Sequence, residues 1–340
     1  MGAQRIRQGL VFCGALAGLL FGQAQVLAQG RTWRVPKDHR TIQAAIDAAS
    51  DGDQILVAAG RHCGAEVHRR VRLRGAGTAG ATIVAGCDGG PTLFGKLRVG
   101  FLMSGTAQAA PARGTEIRGF SFDGAGVSNS NLDPLAFGIY ARFTGDVTVE
   151  DNQFQGTVQA ITNTAGDGWT IRSNRIRDLT LFDCGEQCGG GVGITVQAAA
   201  TEGEPGSDAD PANRPERTVI LHNQVQGQAP AGFMKFPMTG ILVLGADATL
   251  VSGNALSIRP GEGAQAEYPL AAGVMFSDRC CDRPALSLGT NLSAVMLNDG
   301  GDSPYTAVVE GEGGANTNGL LLTGNKGEVL VEGTRTPPPP

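Results

Sequence analysis

Aromatic residues make up only 5% of the 340-residue chain, and lysine occurs four times. A chain so poor in bulky side chains is not expected to fill one large globular core. Basic residues number 27 against 32 acidic ones. This balance argues against nucleic acid and against an anionic membrane as partners, because both require a basic face.

Long apolar runs are also missing. The longest, from Leu10 to Phe21, is shorter than the ~20 residues of a membrane-spanning helix. Arg5 and Arg7 precede this run, and Val26-Leu27-Ala28 fits a cleavage site. We therefore expect residues 1–28 to be an export signal and the mature protein to be periplasmic or extracellular, without membrane insertion. An uncleaved membrane anchor is the alternative.

Removal of the two arginines in the signal leaves 25 basic and 32 acidic residues, a net charge of −7. This argues mildly against a strongly polyanionic substrate, although one local basic cleft would override the average. Glycine is abundant instead, at 52 residues, about twice its usual share. A thin solenoid with small aliphatic side chains inside and glycine at its corners suits this composition. We expect one elongated domain over residues 29–334 and a Pro-rich disordered tail over 335–340.

Residues 33–60 read WRVPKDHRTIQAAIDAASDGDQILVAAG. Apolar residues recur at i, i+3, i+4 and i+7 from Ile42 to Ala49, which predicts an amphipathic helix. Thr41 stands at the N-cap position, and residues 50–53 form a polar turn that ends the helix. Residues 55–57 then predict a buried strand. One helix before an array of strands is typical of a cap over the open end of a solenoid.

This segment is similar to the opening of right-handed parallel β-helix proteins of the pectin-lyase-like superfamily. The resemblance implies an all-β fold, a single-stranded right-handed parallel β-helix with a short N-terminal capping helix. It implies no particular chemistry, because lyases, hydrolases, esterases, epimerases and non-catalytic members share the fold.

Short strands ending in Asn-x-apolar recur along the chain, in residues 147–154, 169–176, 218–225 and 249–256, and more weakly in 320–327. A second short strand precedes each. Without helical crossovers, such strands must form parallel sheets closed by winding. Asparagines at equivalent turns of stacked coils can form a side-chain ladder and tolerate left-handed backbone geometry. The predicted ladder residues are Asn152, Asn174, Asn223 and Asn254.

Six cysteines remain after the signal, which favours disulfides in an exported protein. Cys63 and Cys87 are one coil apart, so stacking could bring them to bonding distance. Cys184 and Cys188 could staple one loop, and a metal site at residues 183–188 is the alternative. Cys280 and Cys281 could form a vicinal disulfide or pair elsewhere.

Aligning the repeats places Phe120, Phe154 and Ile176 at one inward position. Asp123 and Asp178 then follow at roughly the same edge of the solenoid, with one coil between them. Two clustered carboxylates at a defined separation are what a glycosidase needs.

Arg175 and Arg177 flank the inward Ile176, so both side chains are expected to point outward. In a lyase an arginine can serve as the base. Together with Asp123, Asp178 and the loop at residues 183–186, the two arginines form the candidate polar cleft. The alternative is a set of solvated turn acids and surface arginines.

The chain lacks the Gly-His-Gly element of polygalacturonase-type glycosidases, the paired elements of pectin esterases and the Asp-Pro-His element of alginate epimerases. No close metal-binding spacing occurs among its four histidines. We therefore expect a protein that binds or cleaves a polysaccharide, without a cofactor, although a lyase of this fold could use calcium. The other hypothesis is a non-catalytic surface or periplasmic scaffold or adhesion protein. Oligomeric state is not predicted.

Overall fold

The computed structural model describes residues 30–75, 82–128, 130–180, 191–199, 211–229, 238–261, 271–277, 292–309 and 319–331. Within them, parallel strands form three long sheets, which we call sheets A, B and C. Sheet A contains β1 (Thr32–Val35), β2 (Gln54–Val57), β5 (Arg72–Gly75), β9 (Glu116–Arg118), β12 (Thr148–Glu150), β15 (Thr170–Arg172), β18 (Val219–Leu221), β21 (Leu250–Ser252), β24 (Ala294–Met296) and β26 (Leu321–Thr323).

Sheets B and C complete each coil. Sheet B contains β3 (Gly60–Cys63), β6 (Thr82–Ala85), β10 (Ser121–Asp123), β13 (Gln153–Gln155), β16 (Arg175–Leu179), β19 (Gln224–Gln228) and β22 (Ala255–Arg259). Sheet C contains β4 (Ala65–Glu66), β8 (Leu97–Ser104), β11 (Phe137–Arg142), β14 (Gln159–Thr164), β17 (Val192–Gln197), β20 (Met238–Leu244), β23 (Ala271–Ser277), β25 (Tyr305–Val309) and β27 (Val329–Val331), with β7 (Thr92–Leu93) antiparallel to β8. A short 3-10 helix covers Pro211–Asn213.

The chain visits sheets A, B and C in turn, so each strand pairs with its equivalent in the next coil. In sheet A, for example, Val149 of β12 pairs with Ile117 of β9 and Ile171 of β15. Alternate side chains of a strand point to opposite faces, which sends these residues inward and their neighbours to solvent. The prediction of a parallel β-helix is confirmed.

The core is a set of aliphatic and aromatic columns along the solenoid axis. In sheet B the inward column includes Phe122, Phe154 and Ile176, each at most 1% exposed. The rings of Phe122 and Phe154 are stacked, with centroids 4.6 Å apart. Stacking of like side chains on successive coils buries the interior without a bulky globular core.

The helix α1 (Ile42–Ala48) covers the N-terminal end of the columns. The Thr41 side chain accepts a hydrogen bond from Ala44 N–H, and Ile42, Ala45 and Ile46 are buried. The short helix therefore has the predicted N-cap and apolar stripe.

Asp53, in the turn after the helix, ties that turn to the first strand. Its carboxylate accepts hydrogen bonds from the backbone N–H groups of Arg31 and Ser50 and from the Trp33 indole. Burial raises the pKa of Asp53, but these hydrogen bonds favour the ionised form and together hold the pKa below its usual value.

A continuous asparagine ladder runs along the corner between sheets A and B. Asn152 donates from its backbone N–H and its amide to the Asn174 side-chain oxygen, each at 3.1 Å. The same pair of bonds is repeated at every later step. The ladder comprises Asn152, Asn174, Asn223, Asn254, Asn298 and Asn325. It includes all four asparagines named from the sequence and adds Asn298 and Asn325.

A disulfide joins Cys63 of β3 to Cys87, whose Cα atoms are 5.4 Å apart. The other four cysteines, the N-terminal residues 1–28 and the Pro-rich tail lie outside the described residues. Among the residues that the structure describes, no helix is long and apolar enough to span a membrane.

Candidate functional site

The predicted site residues lie on the outer face of sheet B. The structure corrects their alignment, because Phe122, and not Phe120, occupies the inward position of Phe154 and Ile176. Phe120 instead stands beside the ladder, where its N–H donates to Asn152. Gly119, with φ of 78°, makes the corner before it.

Asp123 therefore follows the inward Phe122 directly and points outward. It pairs with Gln155 of the next coil, which pairs in turn with Arg177. The Asp123 carboxylate forms an ion pair with Arg61 of β3 at 2.8 Å and also accepts a hydrogen bond from Ala125 N–H.

Asp178 lies two coils further along the same face. It has a left-handed backbone with φ of 54°, at an irregularity between Ile176 and Leu179 where the pairing with β19 shifts. Its carboxylate accepts a hydrogen bond from the Gln155 amide at 3.3 Å. Strands lie about 4.8 Å apart, so the backbones of Asp123 and Asp178 are separated by roughly two such steps. The two aspartates share a face but do not form a carboxylate pair.

Arg175 and Arg177 are the outward residues of β16. The Arg175 guanidinium donates to the Gln224 side chain at 3.2 Å, and the Arg177 Nε is buried without a partner. Within the described part of the chain, neither arginine has a carboxylate at ion-pair distance. By contrast, Arg61 and Arg259, at the two ends of sheet B, are paired with Asp123 and Asp302.

Glutamines flank these arginines on both neighbouring strands. In each of these strands two outward residues flank one inward residue. The triplets are Gln-Phe-Gln in β13, Arg-Ile-Arg in β16 and Gln-Val-Gln in β19. We call these six outward residues the Gln–Arg face: Gln153, Gln155, Arg175, Arg177, Gln224 and Gln226. Sequence reasoning missed the glutamines, although Q-x-Q on either side of R-x-R at the repeat position is a visible signal.

The Gln–Arg face suits recognition of hydroxyl and acidic groups. An amide both donates and accepts hydrogen bonds, and a guanidinium presents a planar fork that matches a carboxylate. Along β16, Arg175 and Arg177 are separated by about 6.6 Å of extended backbone. The face therefore offers two cations flanked by neutral amides, with the Asp178 carboxylate beside them, held by Gln155.

The face does not fit a calcium site. Calcium takes six to eight oxygen ligands, whereas Asp123 and Asp178 stand on separate coils and already accept hydrogen bonds from Arg61 and Gln155. In the described ranges, no group of three or more His, Cys, Asp and Glu side chains could hold a metal ion. The predicted loop at residues 183–186 lies outside those ranges.

Insertions collect beside the Gln–Arg face. The connections from sheet B to sheet C include residues 124–136, 180–191, 229–237 and 260–270, each leaving the carboxyl end of a sheet B strand. Loops positioned by a rigid scaffold commonly carry binding residues. The candidate face thus belongs to the sheet whose strands lead into these connections.

Comparison with solved structures identifies the fold. An alginate lyase from Paenibacillus sp. str. FPU-7 superposes with a TM-score of 0.50 and 15% sequence identity, covering 88% of this chain and 98% of that chain. The surface adhesin PfbA of Streptococcus pneumoniae superposes with a TM-score of 0.55 and 13% identity, covering 86% and 76%. The chain is a right-handed parallel β-helix.

The fold expected from the resemblance to the pectin-lyase-like superfamily is thereby confirmed. At these identities the likeness concerns the fold alone, since one fold hosts many functions. A scan against protein-family models finds no match. A search of curated proteins also finds no match.

Proposed function

We propose that the protein binds an acidic polysaccharide along the Gln–Arg face. The observation that carries this proposal is the pair Arg175 and Arg177, two adjacent outward cations without a carboxylate partner in the described residues. On the outer face of sheet A, by contrast, Arg74, Arg118 and Arg172 are ion-paired. Two unpaired cations on one strand leave their charge available to an anionic ligand.

The arrangement along the axis supports a polymer as the ligand. Gln153 and Gln224 lie on the strands before and after Arg175, in register with it. An extended chain lying along the axis would meet a new row of donors and acceptors about every 4.8 Å. Hydroxyl groups would be bound by the amides and acidic groups by the guanidinium forks.

The comparisons and the disulfide are compatible with this role. One structural neighbour is an alginate lyase and another is a surface adhesin, so the fold occurs both in a polysaccharide-cleaving enzyme and in an adhesion protein. The Cys63–Cys87 disulfide supports export, because such bonds persist in oxidising compartments.

Binding is tested with the mature protein, residues 29–340, titrated with alginate, polygalacturonate and neutral dextran at two salt concentrations. Replacing both Arg175 and Arg177 by glutamine should weaken binding of the acidic polymers by about tenfold or more per arginine, because hydrogen bonds to charged groups contribute about 1.5–3 kcal/mol. Arg217→Gln, an exposed arginine paired with Glu216 on another corner, is the matched control. Equal affinity of the double variant and the control would refute the proposal.

The same samples test whether cleavage follows binding. In the proposed cleft, Asp123, Asp178, Arg175 and Arg177 are the catalytic candidates. Asparagine tolerates the left-handed backbone of Asp178, so Asp178→Asn should keep the fold while abolishing any release of unsaturated or reducing ends. Unchanged release by this variant would remove Asp178 from the catalytic set. Binding without any release would assign a non-catalytic, adhesive role.

A further inference from the structure

A polar cavity lies on a different corner of the solenoid, where strands of sheet C lead into sheet A. Its volume is about 380 Å³, within the range of small-molecule sites. Three loops line it, at residues 106–113, 143–145 and 165–167, residues 212–214 line a further side, and the cavity is open to solvent. We call it the corner cavity. The corner cavity and the Gln–Arg face have no residue in common.

Small side chains create the space. Five alanines line the corner cavity, at positions 107, 109, 110, 165 and 212. Ala165 has a left-handed backbone with φ of 57°, a conformation that disfavours bulky side chains. Gly145 adds to the opening, since a Cβ there would stand 3.1 Å from the Arg113 guanidinium and from the Asp167 carbonyl oxygen. The volume of the cavity therefore results from small residues, alanine and glycine, in several separate loops.

The lining is electrically balanced. Each charged side chain that lines the corner cavity has an opposite charge beside it, supplied from within the described chain. The ion pairs are Arg113–Asp146 at 2.6 Å, Arg214–Asp247 at 2.8 Å and Asp167–Arg217 at 3.9 Å. The lining therefore carries no uncompensated charge that would attract an ionic ligand.

Hydrogen-bonding groups and apolar surface alternate around the same space. Gln108 and Asn213 contribute amides, which both donate and accept. The Gln108 amide has no partner among the residues that the structure describes, and the side chain is exposed at the tip of its loop. Phe143 also lines the cavity but is only 7% exposed, and the Arg142 guanidinium lies 5.1 Å from the centroid of its ring, so the alanine methyl groups supply the apolar surface. A sugar ring has this mixed character, with hydroxyl groups at its edge and C–H groups on its faces.

We infer that the corner cavity binds an uncharged saccharide of about one or two sugar rings. The amides of Gln108 and Asn213 hold its hydroxyl groups, and the alanine methyl groups contact its C–H faces. The balanced charges select neutral sugars over sugar acids. This site is independent of the Gln–Arg face, so either proposal can fail alone.

The test is saturation-transfer NMR and calorimetry on the mature protein with maltose, cellobiose and lactose, and with galacturonate as the charged probe. At least one neutral disaccharide should bind, and galacturonate should bind at least tenfold more weakly. Gln108→Ala should weaken the neutral sugar by about five- to tenfold, the loss of a ligand hydrogen bond. Ala109→Leu should abolish binding by filling the cavity.

Controls separate this site from others. Ala48→Leu, at an exposed position of α1, should bind the sugar like the unmodified protein. The variant with Arg175 and Arg177 replaced should also bind it normally. Absence of binding by every neutral sugar at 10 mM, equal binding by Ala109→Leu, or preference for galacturonate would each overturn the inference. Circular dichroism of every variant verifies that the fold is retained.

Discussion

Asn174 is a ladder position at which a single substitution should cost much stability for a small change in volume. The residue is 1% exposed. Its amide donates to the Val149 carbonyl and to Asn223, at 2.9 and 3.0 Å, and its oxygen accepts two bonds from Asn152 at 3.1 Å. Asn174→Ala removes all four.

The magnitude follows from the donors that lose their acceptor. Two hydrogens of Asn152, on the backbone N–H and on the amide, are left unpaired in a dry interior. Each unsatisfied buried group costs about 1–3 kcal/mol, so the substitution should lower the free energy of unfolding by about 2–6 kcal/mol. Asn223 keeps one partner, because the backbone N–H of Asn174 still donates to it.

The assay is urea unfolding at pH 7 followed by far-UV circular dichroism. Asn131→Ala is the matched control, because Asn131 is exposed and its side chain makes only two exposed loop hydrogen bonds; the expected change is within about 0.5 kcal/mol. Coincident midpoints for Asn174→Ala and Asn131→Ala would show that the ladder contributes no net stability, contrary to the reasoning above.

Two further predictions concern the N-terminal coils. Replacing Cys63 and Cys87 by serine should lower the free energy of unfolding by about 3 kcal/mol, because the disulfide closes a loop of 24 residues; an unchanged urea midpoint would contradict this. Asp53 should contribute to acid unfolding: burial raises its pKa, but the hydrogen bonds from Ser50, Arg31 and Trp33 lower it overall. Its stabilisation is therefore complete above the unfolded-state pKa of about 4 and is lost as pH falls through the folded-state pKa. Urea midpoints between pH 7 and pH 3 should fall less steeply for Asp53→Asn, and an identical slope would exclude this role.

Local signals in the sequence were sufficient for the cap and the repeat. The N-cap at Thr41 and the buried stripe of Ile42, Ala45 and Ile46 depend on residues within two helical turns, so periodicity predicts them. The sequence predicts the polar turn at Asp53 but not the contacts that its carboxylate makes. Its hydrogen bonds to Trp33 and Arg31 span 20 and 22 residues, a distance that no local pattern encodes.

Register across coils was the weaker part of the prediction. Alignment of the Asn-x-apolar strands places Phe120 with Phe154, whereas the structure pairs Phe122 with Phe154. Glycine spacing would have corrected this, since Gly124 follows Phe122 at the distance at which Gly156 follows Phe154. A shift of two residues keeps the inward face inward, which is why hydrophobic alternation alone did not reveal it.

Side-chain partners on the outer face could not be predicted at all. The outward direction of Arg175 and Arg177 follows from alternation around a buried residue. That Asp123 pairs with Arg61, 62 residues away, depends on how many residues the intervening coils contain. The sequence thus predicts which side chains reach the outer surface, but not which of them meet.

The asparagine ladder affects how the loops of such a chain can change in length during evolution. Successive ladder residues are separated by 22, 49, 31, 44 and 27 positions, yet every backbone-to-side-chain bond between them is 2.9–3.1 Å. Each coil contributes one asparagine to the ladder, and the geometry of the ladder does not depend on the number of residues in the coil. Insertions, deletions or exchanges of loops between coils can therefore leave the ladder and the sheets intact. The outer surface can change in evolution while the interior stays the same.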